Sequence, residues 1–445
     1  MDDSIGFSFI VAVKSGGMLG FREAMESLRA MEYEHMTIHI LDSADEHEIE
    51  EFVRVVAASD PRIVYHRMQQ SMSMPALWNQ GIRYAKEDYL VFVGPMVRLN
   101  EIMPSVLAAR IRQNLESHII YSDYDELSED VRVNPQFLPD FNLELLRHTN
   151  YIGDTFCVRK HVFREIGLFS EQLIFSFSYD FFLRAYEAGL RIEHIPALLW
   201  HRRVVPAAIP HRQLKAELRR TMAEHRTVLL THFARLGIKA DAEPDSSFAY
   251  FDIEYEGGDA GSHHREYLLV HEEGIKVRGR NAYEILYGHV RQPDVAIAGV
   301  RFVSTGRTLD NCGYIYDTNG MLYPACYGQK STDQGLYGRI AIAQDVSMVD
   351  PGYCMIDARF FRKVGGFDRK LSGREMMLDL CLKARRAGMR VVYEPLVTAR
   401  CGKREHTSSE YVHGLLMERW GSVIAQGDPC YNINLPTGLS SNYSL

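Results

Sequence analysis

The sequence predicts an α/β fold: a mixed sheet with flanking helices, followed by a shorter second module of related architecture. Short β-rich runs alternate with helical segments through the first 90 residues. A stretch around residues 180–196 returns around 379–395. A length of 445 residues leaves room for two ordinary domains.

The elements follow in order. Residues 7–13, 36–41, 62–65 and 89–93 read as strands, and the segments near 20–31, 45–58 and 75–86 as helices. Parallel strands joined by crossover helices bind ligands at their carboxyl ends, so chemistry is expected after Val13, Leu41 and Val93. Leu214, Leu218, Met222, Leu229, Phe233 and Leu236 recur at helical spacing between Pro210 and Gly237, which predicts one long amphipathic connector helix. Residues 251–256 alternate as a strand, and 257–262 form a Gly-rich loop.

The repeat aligns Asp180, Ala185, Gly189, Arg191 and Pro196 with Asp379, Ala384, Gly388, Arg390 and Pro395 at an offset of 199. Phe163 and Phe169 match Phe361 and Phe367 at 198, whereas Tyr89 matches Tyr267 at only 178. The second copy is therefore expected to lack the first βα units and to complete its sheet on the first domain or on another chain.

Composition excludes several classes. Lys and Arg total 50 against 58 Asp and Glu, a formal charge of −8 with no basic run of the kind nucleic acid or an anionic bilayer selects. Seven cysteines, at 157, 312, 326, 354, 381, 401 and 430, form no C-x-x-C pair, which predicts reduced thiols and no structural zinc. No window approaches a membrane span and the N-terminus is acidic. A cytoplasmic location is expected, with peripheral contact at the inner membrane face still open.

Asn79-Gln-Gly81-Ile82, residues 121–126 (Tyr-Ser-Asp-Tyr-Asp-Glu), 134–137 (Asn-Pro-Gln-Phe), Asn150-Tyr-Ile152, the two Gly-Phe repeats, Trp200-His201-Arg202 and the tail from Asp428 resemble, in that order, family 2 glycosyltransferases of bacterial polysaccharide biosynthesis. The resemblance implies GT-A modules in tandem, a nucleotide-sugar donor and a glycan acceptor. It also implies a divalent cation, Mg²⁺ or Mn²⁺, held by an Asp-x-Asp pair, with a further carboxylate acting as base. The domains expected on this basis are a GT-A-like domain at 1–205, a helical linker at 206–245, a truncated second GT-A-like module at 246–405 and a helical tail at 406–445.

Departures from the family pattern fall on the chemistry. Where members read Phe-Leu-Asp-x-Asp-Asp, the chain reads Phe92-Val93-Gly94-Pro95-Met96-Val97, with no hard oxygen ligand. The base position is Ser178, next to a retained Asp180, the candidate catalytic carboxylate. His201 stands where a metal-binding His would. Asp42 occupies the nucleotide-base position, where the usual second acid is Ser43. Asn79, Gly81, Asp123, Asp125 and Glu126 complete the candidate nucleotide- and sugar-binding set, and Asp123 with Asp125 has the spacing of a displaced cation site. Lys14 and Arg98 are candidate replacement cations.

The second module carries Glu272 and Glu273, Met376 and Met377, and Cys401 at the corresponding places. Bland readings suit the remaining features: Met68, Met72 and Met74 as loop packing, His263, His264 and His271 as surface residues, and Trp78, Trp200 and Trp420 as core. Three functions are compatible: a catalytically degenerate glycosyltransferase that binds a nucleotide, a sugar or an active partner transferase; an active transferase with a rearranged site; or an interaction scaffold. A partner or second copy would meet the second module.

Overall fold

The computed structural model describes residues 5–204, 211–247, 249–256, 266–279, 281–304, 307–402, 404 and 410–438. The chain forms two compact units: Met1–Phe141 with Asn150–His232, and Asn142–Thr149 with Phe233–Leu445. The first unit thus gives up eight residues in mid-sequence to the second, which no pattern of hydrophobicity announces. The loop expected at 257–262, with His263 and His264, lies outside the described residues.

Unit 1 contains strands β1 (Phe7–Val13), β2 (Met36–Asp42), β3 (Ile63–Arg67), β4 (Tyr89–Val93), β5 (Val97–Leu99), β6 (Ile119–Ser128), β7 (Val131–Gln136), β8 (Phe156–Arg159) and β9 (Ile192–Val204). Its helices are α1 (Met18–Ala30), α2 (His47–Ser59), α3 (Met74–Tyr84), α4 (Met103–Gln113), α6 (Val162–Glu165) and α7 (Phe177–Glu187). Helix α5 (Leu143–His148) belongs to unit 2, and the expected connector is α8 (His211–Leu236). The sheet runs β3-β2-β1-β4-β8-β6-β9-β5, with β7 on β6. Strands β3, β2, β1 and β4 are mutually parallel. Strand β8 is antiparallel to both β4 and β6.

Strand β1 is apolar on both faces because helices cover both. Against it lies α3, where a Cβ on Gly81 would stand 2.5 Å from Ile10 Cγ2, so only glycine admits this approach. An aromatic cluster fills the space beneath the carboxyl ends of the strands: the Trp78 ring centroid is 4.6 Å from Phe92 and 5.1 Å from Phe177, and Phe92 is 5.3 Å from Phe156. These rings anchor the three backbone segments that lead to Gly94, Asp154 and Ser178. All three tryptophans are buried.

Unit 2 opens with a hairpin of β10 (Ala240–Pro244) and β11 (Phe251–Tyr255). There follow β12 (Tyr267–His271), β13 (Lys276–Arg278), β14 (Val295–Val303), β15 (Leu309–Asn311), β16 (Tyr314–Tyr316), β17 (Leu322–Pro324), β18 (Gln344–Asp345), β19 (Tyr353–Asp357) and β20 (Arg390–Arg400). Its later helices are α9 (Ala282–Val290), α10 (Ala358–Lys363), α11 (Gly373–Arg386) and α12 (Glu410–Ile424). The main sheet runs β12-β19-β14-β20-β13. Order and strand sense repeat those of β4-β8-β6-β9-β5 in unit 1.

Among the described residues nothing in unit 2 corresponds to β1, β2 and β3. The sheets of the two units share no strand, and among the described residues β12 is an edge with Leu268 and Leu269 about 40% exposed.

Glu144 of α5 is fully buried in unit 2. Its carboxylate accepts from Arg390 Nη1 at 2.8 Å, from Arg147 Nη1 at 3.2 Å and from the Tyr255 hydroxyl at 2.6 Å. Burial opposes its charge, yet His148, Arg147 and Arg390 hold the carboxyl well below the ordinary carboxylate range.

Two substitutions test this packing. Gly81→Val should lower unfolding free energy by about 1–3 kcal/mol in urea titration, because the branched side chain overfills the α3–β1 contact. Glu144→Gln leaves Arg390 and Arg147 without their shared carboxylate and should lower it by about 3–5 kcal/mol.

Candidate functional site

The carboxyl end of β4 runs into Gly94-Pro95-Met96, and the antiparallel partner β8 begins just beside it. Gly94 N donates to Thr155 Oγ1 at 3.2 Å, and a Cβ on Gly94 would lie 3.4 Å from that of Asp154. The first turn of α7 brings Ser178, whose hydroxyl donates to Asp154 Oδ1 at 2.5 Å. Asn150 Nδ2 donates to the same hydroxyl at 3.4 Å. Burial raises the Asp154 carboxyl above its ordinary 3.8, and the Ser178 bond opposes this only in part. A hydroxyl and a carboxyl therefore meet here, the carboxyl from the loop that leads into β8 and the hydroxyl from α7.

Sequence reading stopped at Ile152 and missed Asp154. The available signal was an acid two residues before a strand that pairs antiparallel with β4, and that pairing is not visible in a one-dimensional pattern.

The predicted residues divide. Asp125 and His201 do meet, His201 Nδ1 lying 2.5 Å from Asp125 Oδ1, and Arg132 Nε donates to Asp125 Oδ2 at 2.6 Å. Asp123 is fully buried and accepts from His194 Nε2 at 2.8 Å and Leu138 N at 2.9 Å. Burial resists protonation of His194, but Asp123 and Asp140 reverse this and raise its affinity for the proton. Glu126 pairs with Arg202 at 2.5 Å and Asn134 at 2.8 Å.

Other candidates are turned to structural contacts. Asp180 accepts from Arg184 Nε at 2.7 Å, and Arg184 also donates to the Ile166 and Leu168 carbonyls, so this carboxylate braces α7 against the preceding loop. Asn79 donates to Phe169 O and Glu171 Oε1, both at 3.0 Å, and accepts from Phe169 N at 3.1 Å. Gly81 contacts β1. Asp42 does end β2, but it is wholly buried: Ala44 N, the Tyr65 hydroxyl and Arg67 all bond to its carboxylate. Above it, Gly16 N donates to Glu46 Oε1 at 2.6 Å and Asp45 N to Ser15 Oγ at 2.9 Å, tying the loop after β1 to the loop after β2.

Lys14 is partly buried at the end of β1, and Arg98 is exposed on β5 opposite His201 in the β5–β9 register. In unit 2, Glu272 lies 3.2 Å from Arg404, and His271 Nε2 lies 2.9 Å from Ile275 O within a turn.

The residues present do not fit the divalent cation that the resemblance implies. Gly94 offers no ligand. Met96, at φ +58°, packs its sulfur against α1, where a Cβ on Gly20 would stand 2.6 Å from it. Asp125 is already bonded to a guanidinium and an imidazole. Among the described residues no three His, Cys, Asp or Glu side chains gather for a metal.

Residues 19–166 match the model described as glycosyl transferase family 2. The matched residues lie mostly in unit 1 and span the mixed sheet from β2 to β8. A curated relative, uncharacterized protein y4gI of Sinorhizobium fredii, is 29% identical over 192 residues, 42% of this chain and 21% of that protein. The O-antigen biosynthesis protein RfbC of Myxococcus xanthus is 25% identical over 245 residues, 55% of this chain and 19% of that protein. The chain thus spans about a fifth of the length of these curated relatives.

Among solved structures, S. aureus TarS 1-349 is similar at a TM-score of 0.39 and 15% identity, over 52% of this chain and 72% of that one. GalNAc-T7 with UDP, GalNAc and Mn²⁺ is similar at 0.39 and 11%, over 46% and 45%. No helix among the described residues is long and apolar enough to cross a membrane.

The raised pKa of Asp154 has a defined sign. Its folded form binds the proton more tightly than the unfolded chain, so ionisation costs stability above the folded pKa and nothing below 3.8. Asp154→Asn should therefore unfold at a higher temperature than wild type at pH 7, and the difference should close as pH falls toward 3.

Proposed function

We propose that the chain is a family 2 glycosyltransferase-type component of surface-polysaccharide assembly that binds a glycan or a partner transferase without itself transferring sugar. The observation that carries this reading is chemical. Positions 94, 96 and 178 hold Gly, Met and Ser, and the neighbouring carboxylates Asp42, Asp123, Asp125 and Asp180 are each already bonded to a cationic side chain or an imidazole. Metal stabilisation of a diphosphate leaving group supplies several kcal/mol of barrier lowering, and nothing in this donor set replaces it. The tied loops above Asp42 speak against a nucleotide base docking there. The likeness to an O-antigen biosynthesis protein supports the polysaccharide context. The open edge of β12 is the surface on which a partner or a second copy would pair.

One observation favours a second reading, an active transferase with a rearranged site. Asp154, with its raised pKa and its bond to Ser178, has the properties of a general base.

Calorimetric titration with UDP, GDP and dTDP, with and without Mn²⁺, separates the two. The expected result is no affinity gain from Mn²⁺ and no sugar release from the corresponding nucleotide sugars. Mn²⁺-dependent binding, or turnover abolished by Asp154→Asn, would establish the active transferase instead.

A further inference from the structure

In unit 2, the loop after α10 and the helices α11 and α12 border a shallow, open hollow of about 760 Å³. Its wall carries Arg369 and Lys370 from the loop, Lys383 and Arg386 from the last turn of α11, and Arg419 from α12. Two carboxylates face these five cations. Asp379, fully buried, accepts from Lys383 Nζ at 2.7 Å, Arg419 Nη1 at 2.8 Å and Trp420 Nε1 at 2.9 Å. Asp368 lies 2.5 Å from Arg419. Arg386 stacks over the Trp420 ring with its guanidinium carbon 4.8 Å from the centroid.

Cations in the last turn of α11 complement the helix dipole, and that alone accounts for Lys383 and Arg386. It does not account for three more cations arriving from a loop and a second helix in a chain whose net charge is −8. The arrangement is also preorganised: Asp379 and Trp420 fix three of the five side chains, while Arg369 and Lys370 stay exposed. Guanidinium forks held in place around a hollow of this size match phosphate oxygens.

We propose that this hollow is an anion site for phosphate-bearing ligands, with a diphosphate as the chemistry that best uses the net charge of +3 left when Asp368 and Asp379 are set against five cations. The site is separate from the cleft of unit 1 and stands or falls independently of the function proposed for it.

The test uses the full chain and two variants of equal charge change. R369E/K370E alters exposed loop residues of the hollow; K276E/R278E alters exposed residues of β13 outside it. Thermal melts should match wild type for both. Calorimetric titration with inorganic pyrophosphate should show saturable binding that weakens about tenfold or more in R369E/K370E and stays unchanged in K276E/R278E.

Flotation with phosphatidylcholine vesicles, with and without phosphatidic acid, identifies the source. Flotation lost only in R369E/K370E assigns the phosphate to a membrane-borne ligand, and pyrophosphate binding without flotation assigns it to a soluble one. Absence of both, or equal loss in the two variants, overturns the proposal. The R369E/K370E chain also gives the background for nucleotide titrations, since a nucleoside diphosphate bound in this hollow would lose its signal there and one bound in unit 1 would not.

Discussion

Unit 2 depends on one buried carboxylate. Glu144 receives hydrogen bonds from Arg390 on β20, Tyr255 on β11 and Arg147 on its own helix, so a single group joins the helix, the hairpin and the central sheet. A charge with no access to water is tolerable only when its partners are all in place. The cost of leaving it unpaired explains why eight residues from the middle of the first module are spent in the second unit. Arg390 is bonded on its other nitrogens to Asp294 and Gln292, which makes the network continuous rather than a pair.

In unit 1 the aromatic cluster holds in place the backbone around Gly94, Asp154 and Ser178. Phe92, Phe156 and Phe177 fix the backbone next to Gly94, Asp154 and Ser178 by ring packing that does not involve those three side chains. The Asp154–Ser178 hydrogen bond lies where charge would otherwise be buried alone.

Much of the fold was legible because it is written in local period. The first four strands and three helices, the connector helix and the repeat at offset 199 follow from alternation, helical spacing and register. Of the candidate site, sequence supplies what residue identity alone decides, as at Gly94, Met96 and Ser178. What sequence does not show is pairing across the chain: Asp154 sits beside the strand that pairs antiparallel with β4, and Asp180, Asn79 and Asp42 bond to Arg184, Phe169 and Tyr65. Segment 142–149 reads as an unremarkable amphipathic turn until Arg390 is seen beside it.

That last contact has a consequence for the order of events during synthesis. Glu144 and Arg390 are separated by 246 residues, so the carboxylate leaves the ribosome long before its principal cation exists. At roughly 5–20 residues per second the interval is on the order of 10–50 s. Strands β1 to β4 have all their parallel neighbours by then, but the link between β7 and β8 is still waiting for the far end of the chain. Helix α5 therefore waits without its unit 2 cation while the intervening residues are made.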